Sequence, residues 1–122
     1  MRTIVRIDIR WEALTVDASD PLELARWWAR TLGWEVVDPF PAGVEVRPSD
    51  GRAPSLFFVE VDDARHGKNR LHLDLYAEDQ PAAVSELLAR GATRADVGQP
   101  ADAACVVMRD PEGNGFCLLD PR

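Results

Sequence analysis

The chain has 122 residues, 46% hydrophobic and 29% charged, a balance that suits one folded domain and excludes a disordered chain. Twenty-one acids against 14 bases give a formal charge of −7. That disfavours nucleic acid and anionic membrane as general partners and suits a neutral or cationic ligand. No apolar run reaches the about 20 residues a membrane helix needs.

Residues 3 to 17 alternate like a strand, with a parity change near Trp11–Glu12 that marks a bulge or a new strand. The opening "MRTIVRIDIRWEALTV" has neither the apolar core nor the cleavage site of a secretory signal. In "DASDPLELARWWARTLGWEVV", Asp20 is a natural N-cap with Pro21 at the first helical position. Leu24, Trp27, Trp28 and Thr31–Leu32 repeat at three-and-four spacing, and Gly33 stops the helix. The tryptophan pair reads as helix packing, one ring against a sheet and the other at an edge or subunit contact. "WEVV", "VEVR" and "SLFFVEV" follow as strands, the middle one bracketed by turn residues.

After the polar loop "DDARHGKN" the order begins again. "RLHLDLYA" is a strand whose Arg70, His72 and Asp74 share one face while Leu71, Leu73 and Leu75 share the other. "EDQPAAVSELLARGA" is a helix capped by Asp79 and stopped by Gly91. "ATRADV" and "ACVVMRD" are strands, "PEGN" is a tight turn held by Asp110 with Gly113 at positive φ, and "GFCLLD" closes the series. Each half thus reads strand, helix, three strands. The expectation is an α+β fold of two tandem βαβββ modules, about 11–62 and 69–120, in one domain spanning 1–122. Cys105 and Cys117 lie in apolar strands and read as buried reduced thiols, which suits a cytoplasmic protein.

The paired βαβββ order, "ASDPLELARWWARTLGWEV", "KNRLHLDL" and "DPEGNGFCLL" resemble the glyoxalase-like branch of the vicinal-oxygen-chelate superfamily over roughly residues 11 to 120. That superfamily includes glyoxalase I, extradiol dioxygenases, bleomycin-binding proteins and fosfomycin-resistance enzymes. The resemblance implies curved mixed sheets around a central cavity, and a homodimer. One scaffold hosts many chemistries, so the function rests on the site.

Metal-dependent members of the superfamily place ligands on the first and last strand of each module. By this resemblance the first-strand positions fall at Ala13 and His72, seven residues before Asp20 and Asp79 respectively. The last-strand positions fall at Cys117 and at Phe57 or Val59. Ala, Phe and Val cannot coordinate an ion, and a one-residue shift to Glu12 or Glu60 turns the side chain to the other face. The expectation is that no metal and no cofactor is bound there.

The candidate cavity residues are Thr15, Asp17, Phe57, Val59, His72, Asp74, Tyr76 and Cys117. With Cβ atoms about 7 Å apart along a strand, His72 and Asp74 are too distant for an ideal direct bond unless they lean, yet can address one ligand together. Their chemistry suits proton transfer, His72 as acid or base and Asp74 or Asp17 orienting it; the alternative pairs Asp74 with Arg70 or a lysine. Three functions follow: a pocket for a small organic ligand, a metal-independent isomerase or lyase, or a domain that dimerises or regulates a partner.

Overall fold

The computed structural model describes residues 8, 10–37, 41, 43–61, 71–95 and 105–120. Two compact units divide them: the first holds residues up to Asp17 together with Pro21–Glu60, the second holds Ala18–Asp20 and the residues from Val61 onward. The parts of the first strand before residue 8, together with His66 and the "KNR" triplet, lie outside the described residues.

In the first unit, β1 (Ala13–Ala18), α1 (Pro21–Leu32), β2 (Glu35–Val36), β3 (Val44–Arg47) and β4 (Ser55–Glu60) follow one another. The sheet order is β1-β4-β3-β2. Bonds from Ser55 N–H to the Glu12 carbonyl and from Val61 N–H to the Ala18 carbonyl advance in the same direction on both chains, so β1 and β4 run parallel. The other pairs are antiparallel. Residues 10–12 are not strand, in keeping with the parity change at Trp11–Glu12.

The helix forms and stops as its sequence dictates. Gly33 adopts φ 70 and Trp34 N–H returns to the Ala29 carbonyl, a terminus that only a residue tolerant of the left-handed region closes without strain. The inner face carries Leu24, Ala25, Trp27, Trp28 and Ala29 against the Val44, Val46, Leu56 and Phe58 side of the sheet. One expectation needs correcting. Both tryptophans are buried, at 8% and 4% exposure, with rings 5.0 Å apart and edge to face. Adjacent helical positions diverge by about 100°, yet rings this wide tuck into one core by packing on each other. Gly43 lies so close to β4 that a Cβ would collide with the Phe58 carbonyl.

The second unit repeats the order with β5 (Leu73–Tyr76), α2 (Gln80–Ala89), β6 (Thr93–Arg94), β7 (Cys105–Arg109) and β8 (Gly115–Leu119). Its sheet runs β5-β8-β7-β6, with β5 and β8 parallel and the others antiparallel. Asp79 caps α2 through Ala82 N–H at 3.1 Å. Val84 and Leu87 are buried on the helix, and Met108, Phe116 and Leu118 on the sheet. The buried Asp110 carboxylate accepts from Glu112 N–H, Asn114 N–H and the Asn114 amide, with Gly113 at φ 90. Together the units make the α+β fold of two βαβββ modules. One strand is shorter than its sequence pattern suggests. "RLHLDLYA" is strand only from Leu73, leaving His72 just ahead of it and Leu71 exposed. "ATRADV" is paired at Thr93–Arg94, with Ala95 N–H adding one bond to Val107.

Candidate functional site

Each helix packs on one side of its sheet and leaves the other side open. In the first unit the inward set is Val44, Val46, Leu56 and Phe58, so alternation turns Glu45, Arg47, Ser55, Phe57 and Val59 to the open face. On β1 the exposed Thr15 and Asp17 alternate with the more buried Val16 and Ala18. Thr15, Asp17, Phe57 and Val59, all foreseen from the sequence, thus share this face.

Its polar centre was not foreseen. Arg47 Nε lies 3.0 Å from Glu45 Oε2, its Nη2 3.4 Å from Glu12 Oε2, and its Nη1 donates to the Gly51 carbonyl at 2.9 Å. Buried Ser55 donates to Glu45 Oε2 at 2.7 Å. Burial pushes the Glu45 carboxyl up, but the Arg47 and Ser55 hydrogen bonds and the Arg47 charge outweigh it and hold the group below its ordinary value. The period-two pattern of "VEVR" carried the signal, since it puts both charges opposite two core valines.

In the second unit, Leu73 and Leu75 turn toward the core side while Asp74 and Tyr76 are exposed, Tyr76 at 68%. His72, just before the strand, projects to the same open side, and its Nε2 meets Asp74 Oδ1 at 3.2 Å. The two side chains lean together, the one way in which strand spacing allows them a direct contact. Both are on the surface, at 45% and 60% exposure, where nothing opposes the lean. An imidazole that engages a carboxylate through Nε2 keeps Nδ1 as a second site for proton exchange.

The parallel register sets Asp74 beside Cys117, and the antiparallel one sets Cys117 beside Val107 and Cys105 beside Leu119. The two thiols therefore share the open face, outside any disulfide and only half-buried rather than sealed in the core as expected. Burial pushes the Cys117 thiol up to about 11, helped by Cys105 and Asp74 and their hydrogen bonds. One donor atom each from His72, Asp74 and Cys117 lie within 4.8 Å of one another. Among the foreseen residues, these three are brought together, with Tyr76 two residues further along the strand.

A domain made of two βαβββ modules with chemistry on the open sheet faces belongs to a recognisable class. The chain is a member of the glyoxalase-like domain family, whose model matches residues 13–119. Solved structures with the same fold include the oxidase ChaP-H2, with TM-score 0.68 and 20% identity over 95% of this chain and 96% of that one. TnmS3, an antibiotic-binding protein from Streptomyces sp. CB03234, has TM-score 0.67 and 21% identity over 96% of this chain and 100% of that one. A member of the glyoxalase/bleomycin resistance protein/dioxygenase superfamily from Sphaerobacter thermophilus DSM 20745 has TM-score 0.64 and 24% identity, covering 93% and 98%. At such identities the likeness carries the fold and not the activity. No curated protein matches the chain.

A metal centre with ligands from both modules, as the resemblance to metal-dependent relatives implies, does not fit the donors present. In the first unit Ala13 and Phe57 or Val59 stand at the corresponding positions and offer no ligand atom. Only the second unit supplies donors at its two positions, His72 and Cys117.

Proposed function

We propose that this protein binds a small organic molecule against its open sheet faces, in a cavity completed within a homodimer, and does so without the two-module metal centre. The observation that carries the reading is the composition of those faces. Half-buried apolar Phe57 and Val59 accompany Thr15 and Asp17 in one unit, and exposed Tyr76 accompanies Asp74, His72 and Cys117 in the other. Apolar surface with a few convergent polar groups is the ordinary make-up of a ligand site. The −7 charge favours a cationic or neutral aromatic occupant, and the antibiotic-binding relative TnmS3 lends the same support. A soluble cytoplasmic setting suits the reduced thiols.

The test is calorimetric titration of chelator-treated protein with cationic and neutral aromatic compounds, with oligomeric state measured by light scattering. Saturable binding is expected, weakened about tenfold or more in Tyr76→Ala and Asp74→Ala, an effect worth about 1.4 kcal/mol per tenfold. Lack of binding across the panel, or binding indifferent to both variants, removes the reading.

The His72–Asp74 contact supports a second reading, metal-independent isomerase or lyase chemistry. In that case Nδ1 of His72 takes a proton from an acidic C–H of the ligand while Asp74, or Asp17 on the first unit, orients the ring or the ligand. Ligand hydrogen would exchange with deuterated solvent, and His72→Gln would stop the exchange while sparing binding. Exchange that persists in His72→Gln rules that role out.

A further inference from the structure

We propose that Cys105 and Cys117 are a reversible oxidation site, a dithiol that closes to a disulfide across the β7–β8 ladder by exchange with a low-molecular-weight disulfide. Such a pair stands apart from ligand binding and does not depend on it.

Strand register brings the two thiols together. Cys105 faces Leu119 and Cys117 faces Val107 across the antiparallel pair, so the cysteines are diagonal neighbours on one face. Both are half-buried and outside any disulfide. Diagonal neighbours in a ladder stand about 7–8 Å apart, and right-handed twist draws one diagonal closer than the other. Here the two thiols share a hydrogen bond, so the sulfurs are within reach of each other.

A disulfide needs Cα atoms within about 6.8 Å, so closing this one pulls the strands together by about 1 Å. Cys105 is placed to supply that movement. It is the first residue of β7, whereas β6 pairs with Met108 and Arg109 at the other end of the strand. Cys117 is more firmly held, in the middle of β8 with Asp74 of β5 on one side and Val107 of β7 on the other. A bond closed against such a shift is strained, and strained disulfides are the readily reduced ones. As a staple it would add little, because it spans a hairpin already held by ladder pairing from Cys105–Leu119 to Arg109–Gly115 and closes a short loop. The pair is fitted to opening and closing, the kind of disulfide that reducing compartments contain.

The exchange runs in two displacements. The Cys105 thiolate, at the strand end, attacks one sulfur of the reagent; a protein–reagent S–S bond forms, the reagent's own S–S bond breaks, and one thiol leaves. Cys117 then attacks the Cys105 sulfur, forming the protein disulfide and expelling the second thiol. The protein loses two electrons and two protons, and the reagent gains both as two thiols. The raised pKa of the Cys117 thiol agrees with its acting second, where the short distance to the mixed disulfide offsets its small thiolate fraction.

Reduced, folded protein incubated with oxidised glutathione should lose both titratable thiols and two hydrogens of mass, with no glutathione retained. Digestion after Arg109, which parts Cys105 from Cys117, should yield the two peptides joined, and excess reduced glutathione should restore both thiols. Cys117→Ser should retain glutathione at Cys105, while Cys105→Ser should acquire it about tenfold more slowly. Thiols that survive in the folded protein while the urea-unfolded chain oxidises in the same buffer overturn the site. Glutathione held on both cysteines of the wild type, or chains linked to one another, overturn it too. A bond that excess reduced glutathione leaves closed overturns its reversibility, and equal rates in the two serine variants overturn the order of attack.

Discussion

The two units share an order of elements and differ in what they turn outward. Behind each sheet the side chains are interchangeable in kind: Val44, Val46, Leu56 and Phe58 in the first unit, Met108, Phe116 and Leu118 in the second, all buried. In front, the first unit has a network of acids around one arginine beside Phe57 and Val59, where the second has an imidazole, a carboxylate, a tyrosine and two thiols. The helix-facing side answers to packing, which accepts any apolar set of suitable volume. The open side carries no packing duty, so its residue types can be chosen for chemistry. Within one repeated architecture, likeness therefore reports on folding and unlikeness on function.

The comparison can be broken most forcefully at the cores. Phe58 and Phe116 occupy like places, each almost wholly buried, and Phe58→Ala and Phe116→Ala should each cost about 3–5 kcal/mol in urea-unfolding measurements. A marked inequality between them would show that the units are not equivalent even where they look alike. A chemical difference in front should be nearly as large. With its thiol raised to about 11 from an ordinary 9.0, Cys117 should react with iodoacetamide at pH 8 roughly a hundredfold more slowly than in the urea-unfolded chain. Peptide mass mapping over time reads this directly, and equal rates would contradict the buried setting of that sulfur.

The turns give the next contrast. Asp110 is buried and holds three donor groups, Glu112 N–H, Asn114 N–H and the Asn114 amide, around the β7–β8 turn, whereas exposed Asp50, in the β3–β4 turn, accepts from Arg52 N–H. Asp110→Ala should lose about 1–3 kcal/mol, the cost of leaving buried donors unpaired. Asp50→Ala should lose less than about 1 kcal/mol, and similar losses would mean that burial does not govern the difference.

The smallest effect belongs to Glu45. Its folded pKa lies below the ordinary 4.5, so its ionisation stabilises the protein fully above that value, and the contribution is lost as pH falls through the folded pKa. The stability gap between wild type and Glu45→Gln should therefore shrink below about pH 4.5. A constant gap would remove the Arg47–Ser55 network as its cause.

What could be read from sequence and what could not divide by range. Asp79 as a cap, Gly33 as a helix stop and the Asp110–Gly113 turn are local devices, each specified within five residues, and all three are present. The face shared by Asp74 and Tyr76 follows from alternation alone. That Cys117 lies beside Asp74 depends on which strands pair, in which direction and register, and sequence spacing does not carry this. The His72–Asp74 contact was legible only as a lean away from ideal strand spacing. Strand geometry fixes Cβ positions, while the contact is made by side-chain tips free to lean. Glu45 and Arg47 lie on a strand of four residues between two turns, too short for alternation alone to assign a face.

Glu112 has a consequence for how the chain assembles. Its carboxylate accepts from Ser19 N–H at 2.6 Å and from Asp20 N–H at 3.0 Å, a link across more than 90 residues. The short stretch Ala18–Asp20 thereby joins the second unit although its neighbours on both sides belong to the first. Contacts of such separation carry a loop-closure cost that slows folding. During synthesis, residue 112 must leave the ribosome before the segment near residue 19 meets this partner, so the link closes only when the chain is nearly complete.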